Sequence, residues 1–66
     1  ANIVANAILS LAPAVPGLMA EGATFIASGI IDSRKDEVIA GLEQAGLAVV
    51  EVKEKRGWEC IVCKKA

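Results

Sequence analysis

The sequence has no histidine and no tyrosine, and its 66 residues include only two cysteines, one tryptophan and one phenylalanine. Two cysteines are too few for the disulfide framework of a small secreted domain. Cys60 and Cys63 form a C-x-x-C pattern, but a structural zinc site needs four ligands, and the chain offers no second pair. Residues three apart on a strand point to opposite faces, so we interpret both cysteines as packing residues and predict no metal. The remaining metal hypothesis is a site shared between two copies.

Charge of one sign is not in excess. Seven basic and eight acidic residues give a net charge of −1, and the two signs are interleaved. Such a surface attracts neither nucleic acid nor anionic lipid, so we predict no direct nucleic-acid or membrane partner. The first twenty residues carry no charge at all. They lack the cationic start of a signal peptide, and asparagines, prolines and a glycine interrupt them. We expect a buried helical segment and a cytoplasmic protein.

The chain is short, yet a large fraction of its residues is apolar. Chains of this size bury only about 60% of their unfolded surface, yet 55% of these residues are hydrophobic, nearly all aliphatic. This composition is typical of interior elements of a larger sheet. We therefore expect residues 1–66 to be a single partial domain that is completed by polypeptide upstream. Unpaired strand edges beside Ala1–Val4 or Thr24–Ile31 predict self-association into a homo-oligomer.

The N-terminal third predicts helix interrupted by proline. Ala1–Val4 is interpreted as the end of a strand or the turn after it, and a helix is predicted from about Val4 to Leu11. Pro13 suits the first turn of a continuing helical piece. Pro16 and Gly17 should keep that piece short, and the turn Glu21-Gly22 leads into the next strand.

The rest of the sequence predicts a strand, a helix and a hairpin. Thr24–Ile31 is a continuous apolar run, typical of a parallel strand covered on both faces. A helix capped by Asp32 or Ser33 should then end at Gly46. Leu47–Lys65 reads as a hairpin with its turn near Gly57. A right-handed crossover would place Ile30 and Val50 on adjacent strands. The predicted fold class is therefore α/β, with the order helix, parallel strand, helix and antiparallel terminal hairpin.

Five short segments carry a resemblance to a known family, and many S-adenosylmethionine-dependent methyltransferases end in this order of elements. The chain resembles the C-terminal part of the ribosomal protein L11 methyltransferases, which have a Rossmann-like sheet. The segments are Ala1-Asn2-Ile3-Val4-Ala5, Leu11-Ala12-Pro13, Ala27-Ser28-Gly29-Ile30-Ile31, Ala45-Gly46-Leu47 and Gly57-Trp58-Glu59. The family usually has a Pro-Gly-Gly turn where this chain has Glu21-Gly22-Ala23, a structural departure.

The resemblance implies methyl transfer from S-adenosylmethionine to amino groups of a ribosomal protein. It implies that Asn2 borders the cofactor and the incoming amine, where an amide oxygen can accept an amine N–H without adding a charge. No catalytic side chain is required. Ser28 and Gly29 would border the substrate cleft. Two simpler interpretations stay open, since Asn2 can serve as a helix cap and Gly29 can be present for its turn alone.

Two parts of such a site are absent from the sequence. No glycine-rich turn after a first strand and no acid after a second strand can be found among these residues. We therefore expect the 66-residue chain alone to be inactive and to bind S-adenosylmethionine very weakly or not at all, as calorimetry would show. The alternative function is a small non-enzymatic α/β association module. The coding sequence upstream of Ala1 would discriminate between them.

Overall fold

The structure, a computed structural model, describes the backbone of residues 3–66 and the side chains from residue 4 onward. The elements are α1 (Ile3–Leu11), a short 3-10 helix (Ala12–Ala14), α2 (Val15–Leu18), β1 (Thr24–Ile31), a second 3-10 helix (Asp32–Arg34), α3 (Lys35–Gln44), β2 (Leu47–Lys55) and β3 (Trp58–Lys65). Predictions for Ala1 and Asn2 lie outside the described residues.

The first helix occupies the predicted span. Ile3 and Val4 belong to it, so the interpretation of Ala1–Val4 as a strand end or the turn after it is wrong for these two residues. The reason is the spacing of Ala5, Ile8 and Ala12, which all lie in the core. Residues three and four apart share one face of a helix, and burying that face outweighs the strand preference of two β-branched residues.

The connecting segments match the predicted roles of proline and glycine but not the predicted helix cap. Pro13 lies in the first turn of the 3-10 helix, where its missing N–H costs no hydrogen bond. α2 is only four residues long. Asp32 and Ser33 do not cap α3, because they form a 3-10 helix and α3 begins at Lys35 without a side-chain cap. Gly46 follows the end of α3, as predicted, with a φ of +99°, the left-handed conformation typical of a glycine that ends a helix.

The three strands form a sheet with the order β1-β3-β2. The prediction that Ile30 and Val50 lie on adjacent strands is therefore wrong. Thr24–Ile31 is a strand as predicted, but within residues 3–66 it pairs only with β3, and that pairing is antiparallel. β2 also pairs antiparallel with β3, so β1 and β2 run in the same direction with one strand between them. The connection through α3 places β2 one strand position away from β1, and β3 occupies the position between them.

The hairpin turn has two residues, Arg56 and Gly57, in agreement with the prediction. Both have positive φ, at 53° and 84°, and this combination matches the right-handed twist of the flanking strands. The carboxylate of Glu54 accepts the backbone N–H of Gly57 at 2.7 Å. A polar side chain thus supports a turn in which a non-glycine residue adopts the left-handed conformation.

The helices α1 and α3 pack against one face of the sheet and against each other. The core between them contains Ile30, Val38, Leu42, Leu47 and Ile61. The opposite face of the sheet is open in the described chain, and it exposes Ile26, Trp58 and Ile31. The prediction that β1 is covered on both faces therefore fails for these residues. None of the described helices combines the length and apolar character needed to cross a membrane.

Candidate functional site

A β-bulge interrupts β1 at Ser28 and Gly29. Ala27 pairs with Ile61 and Ile30 with Glu59, so these two residues lie opposite a single residue of β3. The extra residue bends the strand near its carboxyl end. Both bulge residues are exposed, which leaves them accessible to a ligand at this end of the sheet.

Gly29 has a φ of +75°, which L side chains rarely adopt. A Cβ added there would lie 3.8 Å from Cγ1 of Val4, an ordinary contact distance. The backbone conformation therefore requires glycine, whereas the available space does not. This observation supports the turn interpretation of Gly29, and its predicted role beside the substrate stays a prediction.

The first turn of α1 lies beside this bulge, because Val4 lies within ordinary contact distance of the position that a Cβ on Gly29 would occupy. Asn2 directly precedes α1 in the sequence but lies outside the described residues, so its predicted role at the cofactor is untested. Ser28 and Gly29 are neighbours at the carboxyl end of β1, where ligands bind in open α/β sheets. The two predicted site residues within the described part of the chain, Ser28 and Gly29, therefore lie at one end of the sheet.

A polar cluster, which we call the Arg34 cluster, joins α1 to the segment after β1. Nη1 of Arg34 donates to Oδ1 of Asn6 at 2.6 Å. Nε and Nη2 of Arg34 donate to the two carboxylate oxygens of Glu37 at 3.0 and 2.8 Å. The spacing of Arg34 and Glu37 is visible in the sequence, but Asn6 is 28 residues away, and only the fold brings it to Arg34.

The hydrogen bonds to Arg34 lower the pKa of the Glu37 carboxyl, and the same bonds raise the pKa of Arg34. A lowered pKa means that this pair stabilises the folded state above the pKa that Glu37 has in the unfolded chain. The contribution is lost as the pH falls through the lowered value. Glu37 lies at the surface, so the pair acts mainly on local geometry rather than on global stability.

A second polar residue that the sequence analysis missed is Glu59. It is 3% exposed, and its Oε1 has no hydrogen-bond partner within the described part of the chain. Its backbone lies opposite Ile30 on one side and Glu54 on the other. The alternation of β3 turns it toward α1 and α3 together with Ile61. The signal that could have identified it is the period-two alternation of β3, which places Glu59 on the same face as Ile61 and Cys63.

The two cysteines lie on opposite faces of β3, as predicted. Cys63 is buried in the core and Cys60 is half-buried. Burial, with a smaller contribution from the charge of Glu43, raises the pKa of the Cys63 thiol and so disfavours its thiolate form. Residues 3–66 contain no cluster of three or more side chains that could hold a metal ion.

These features define an α/β protein with its polar, bulged strand end beside the start of a helix. A family model described as ribosomal protein L11 methyltransferase (PrmA) matches residues 1–66. The chain belongs to this family.

Curated relatives from three bacteria are similar to the chain, and each is named ribosomal protein L11 methyltransferase. The protein of Agathobacter rectalis is 43% identical over 65 residues, which is 98% of this chain and 20% of the relative. The protein of Desulforamulus reducens is 48% identical over 63 residues, 96% of this chain and 20% of the relative. The protein of Bacillus subtilis is 45% identical over 65 residues, 98% of this chain and 21% of the relative. The chain therefore spans about a fifth of the length of these relatives.

Proposed function

We propose that these 66 residues form the C-terminal part of the catalytic domain of a methyltransferase that acts on ribosomal protein L11. The observation that carries the proposal is the similarity along nearly the whole chain to relatives of that name. The proposed reaction takes place in the cytoplasm on amino groups, either α-amino or lysine, of the ribosomal protein. Neither nucleic acid nor a membrane takes part directly.

The residues at the end of β1 fit one wall of a site for S-adenosylmethionine and an amine. Ser28 and Gly29 are exposed there, and the start of α1 lies beside them. S-adenosylmethionine would supply the methyl group when bound. The remaining walls would come from polypeptide outside these residues, so we propose that the 66-residue chain alone binds the cofactor very weakly.

The role proposed for Asn2 is orientation of the amine. For methyl transfer, the lone pair of a neutral amine must point along the axis of the bond between the sulfonium sulfur and the methyl carbon. The amide oxygen of Asn2 would accept one amine N–H and hold that orientation. A carboxylate at the same place would compete for the proton that the amine must lose. Catalysis of this kind depends on positioning and on exclusion of water, and no side chain of the chain becomes covalently modified.

The test is methyl transfer to purified ribosomal protein L11 by the full-length protein that carries this segment. We expect Asn2→Ala to lower kcat by about 100-fold, because a misplaced reacting group costs about that factor. Gln44→Ala is the matched control, since it removes an exposed amide at the far end of α3 and should leave kcat unchanged. Mass spectrometry of the product identifies the methylated atom. A wild-type protein that transfers no methyl group, or transfers it to a group other than an amine, contradicts the proposal.

The second candidate function is self-association without catalysis. It is supported by the open face of the sheet, where Ile26 and Trp58 are 60% and 53% exposed. Their partners in the strand pairing, Val62 and Ile31, lie on the same face and extend this apolar surface across two strands. The edge of β1 opposite β3 also pairs with no strand in the described chain. Such surfaces and edges recruit partners.

A further inference from the structure

The carboxyl group of Glu59 is buried at a place where the described chain offers it no positive charge. Glu59 is 3% exposed, and among residues 3–66 its Oε1 has no hydrogen-bond partner. The residue directly opposite on β2 is another acid, Glu54, and like charges across a strand pair repel each other. An ionised carboxylate that is removed from water needs a partner of opposite charge, because burying it alone is costly.

The basic side chains of the described chain do not fill this role. Groups other than Glu59 accept hydrogen bonds from, or form ion pairs with, Arg34, Lys53, Lys64 and Lys65. Lys55 and Arg56 are exposed in the hairpin. No donor within residues 3–66 reaches Oε1 of Glu59, so a cation for this carboxylate has to come from elsewhere in the full-length protein.

The polypeptide that leads into α1 reaches the sheet at the end where Glu59 lies. Val4, in the first turn of α1, lies within ordinary contact distance of the position that a Cβ on Gly29 would occupy. Glu59 pairs with the next residue of β1, Ile30, and it lies on the helix side of the sheet together with Ile61. The chain spans only about a fifth of the length of its relatives. Polypeptide outside these residues is therefore available close to the carboxyl group.

We propose that Glu59 forms a buried ion pair with a lysine or arginine side chain that the preceding polypeptide supplies in the full-length protein. Either side chain has a long apolar stem that can lie along the apolar layer around Ile30 and Ile61 while its charged head reaches the carboxylate. The inference rests on one element of the proposed function, the placement of these residues as the C-terminal part of a longer chain, and not on methyl transfer.

A positively charged group of the substrate is the competing partner for Glu59, and it fits less well. A substrate binds and leaves at every turnover, so it would have to reach a carboxylate that this chain already encloses. A side chain of the same protein takes its place once, during folding. The burial of Glu59 therefore favours a permanent partner.

The experiment measures thermal unfolding of the full-length protein with Glu59→Met and, to keep the shape of the side chain, with Glu59→Gln. Removing one partner of a buried ion pair leaves the other charge uncompensated, so we expect Glu59→Met to lower the Tm by about 5–10 °C and Glu59→Gln to lower it by less. Glu51→Met is the matched control, since it removes a carboxylate from an exposed residue of β2 and should change the Tm by no more than about 2 °C.

The partner is identified by replacing each lysine and arginine of the preceding polypeptide with methionine, alone and together with Glu59→Met. For the residue that pairs with Glu59, the double variant should have a Tm no lower than that of Glu59→Met alone, because replacing both charges with apolar side chains leaves no uncompensated charge. For the other basic residues, the two changes in Tm should add.

A Tm that rises or stays unchanged in Glu59→Met overturns the inference, as does a scan in which every basic residue gives additive effects. If Glu59→Met does not fold, the Tm of Glu59→Gln decides in the same way. An unchanged Tm with a higher KM for ribosomal protein L11 would assign Glu59 to substrate binding and also overturn the inference. A wild-type protein that transfers no methyl group contradicts the proposed activity, whereas the Tm values still decide whether the ion pair exists.

Discussion

In the 66-residue chain, Glu59 places a carboxyl group in the layer between the sheet and the helices, and among residues 3–66 one of its oxygens has no hydrogen-bond partner. Removing a polar group from water without compensation costs about 1–3 kcal/mol. We therefore expect Glu59→Met to raise the free energy of unfolding by about 1–3 kcal/mol, measured by urea denaturation. Methionine has a similar length and adapts to irregular space.

The control for this variant is Glu51→Met, since Glu51 is exposed on β2 beside Lys53. Its effect on the free energy of unfolding should stay within about 0.5 kcal/mol. A loss of stability in Glu59→Met would mean that the carboxylate makes a favourable interaction, and the account of Glu59 as an uncompensated buried group would be wrong.

The sequence predicts the backbone conformation of those residues whose conformation is determined by their neighbours along the chain. Gly46 and Gly57 adopt left-handed conformations at the predicted helix end and hairpin turn. The hydrogen bond that Asn6 accepts comes from Arg34, 28 residues away along the chain, so no local pattern indicates it. The predicted cap at Asp32 or Ser33 is replaced by a 3-10 helix, which satisfies the same backbone groups that a cap would.

At the scale of elements, α1 and α3 approach closely at Gly41. A Cβ built on Gly41 would collide with Cδ2 of Leu9, whose side chain fills that space. We expect Gly41→Val to lower the free energy of unfolding by about 1–3 kcal/mol, because overpacking forces side chains from their preferred rotamers. Combining it with Leu9→Ala should recover part of that loss, and thermal or urea unfolding of the four proteins gives the coupling energy.

The matched control is Gly17→Val in α2, where an added Cβ meets no atom within 4 Å. Its effect should be limited to the small helix-propensity difference between the two residues. Additive effects of Gly41→Val and Leu9→Ala would show that the two side chains do not compete for one space, contrary to the structure.

The extents of α1, the hairpin and β1 followed from local spacing and turn residues, whereas the sheet order did not. Local patterns specify that Leu47–Lys65 folds back on itself. They do not specify which edge of the hairpin then meets β1. Pairing of β1 with β3 joins residues as far apart as Thr24 and Lys64, and such distant contacts leave no periodic signal in either segment. The open face of β1 was not predicted for the same reason. An apolar run indicates that a strand can be buried, but it does not indicate which elements pack against each face.

At the scale of the whole molecule, the open face of the sheet predicts self-association of the 66-residue chain. We expect its sedimentation coefficient to rise with concentration, because Ile26 and Trp58 would lie in the contact between copies. Ile26→Lys should shift the chain toward monomer, since burying an unpaired charge is costly. Gln44→Lys adds the same charge at the exposed end of α3, away from the open face of the sheet, and serves as the control. A cooperatively folded monomer at every concentration would rule out the association function.

The sheet order also has a consequence for synthesis on the ribosome. β3 is translated after β1 and β2, yet it is the central strand to which both are hydrogen-bonded. The two outer strands therefore emerge from the exit tunnel without the neighbour that joins them. A premature stop codon just after the hairpin turn would remove the strand that joins β1 to β2 within residues 3–66, and we expect it to prevent this part of the sheet from forming.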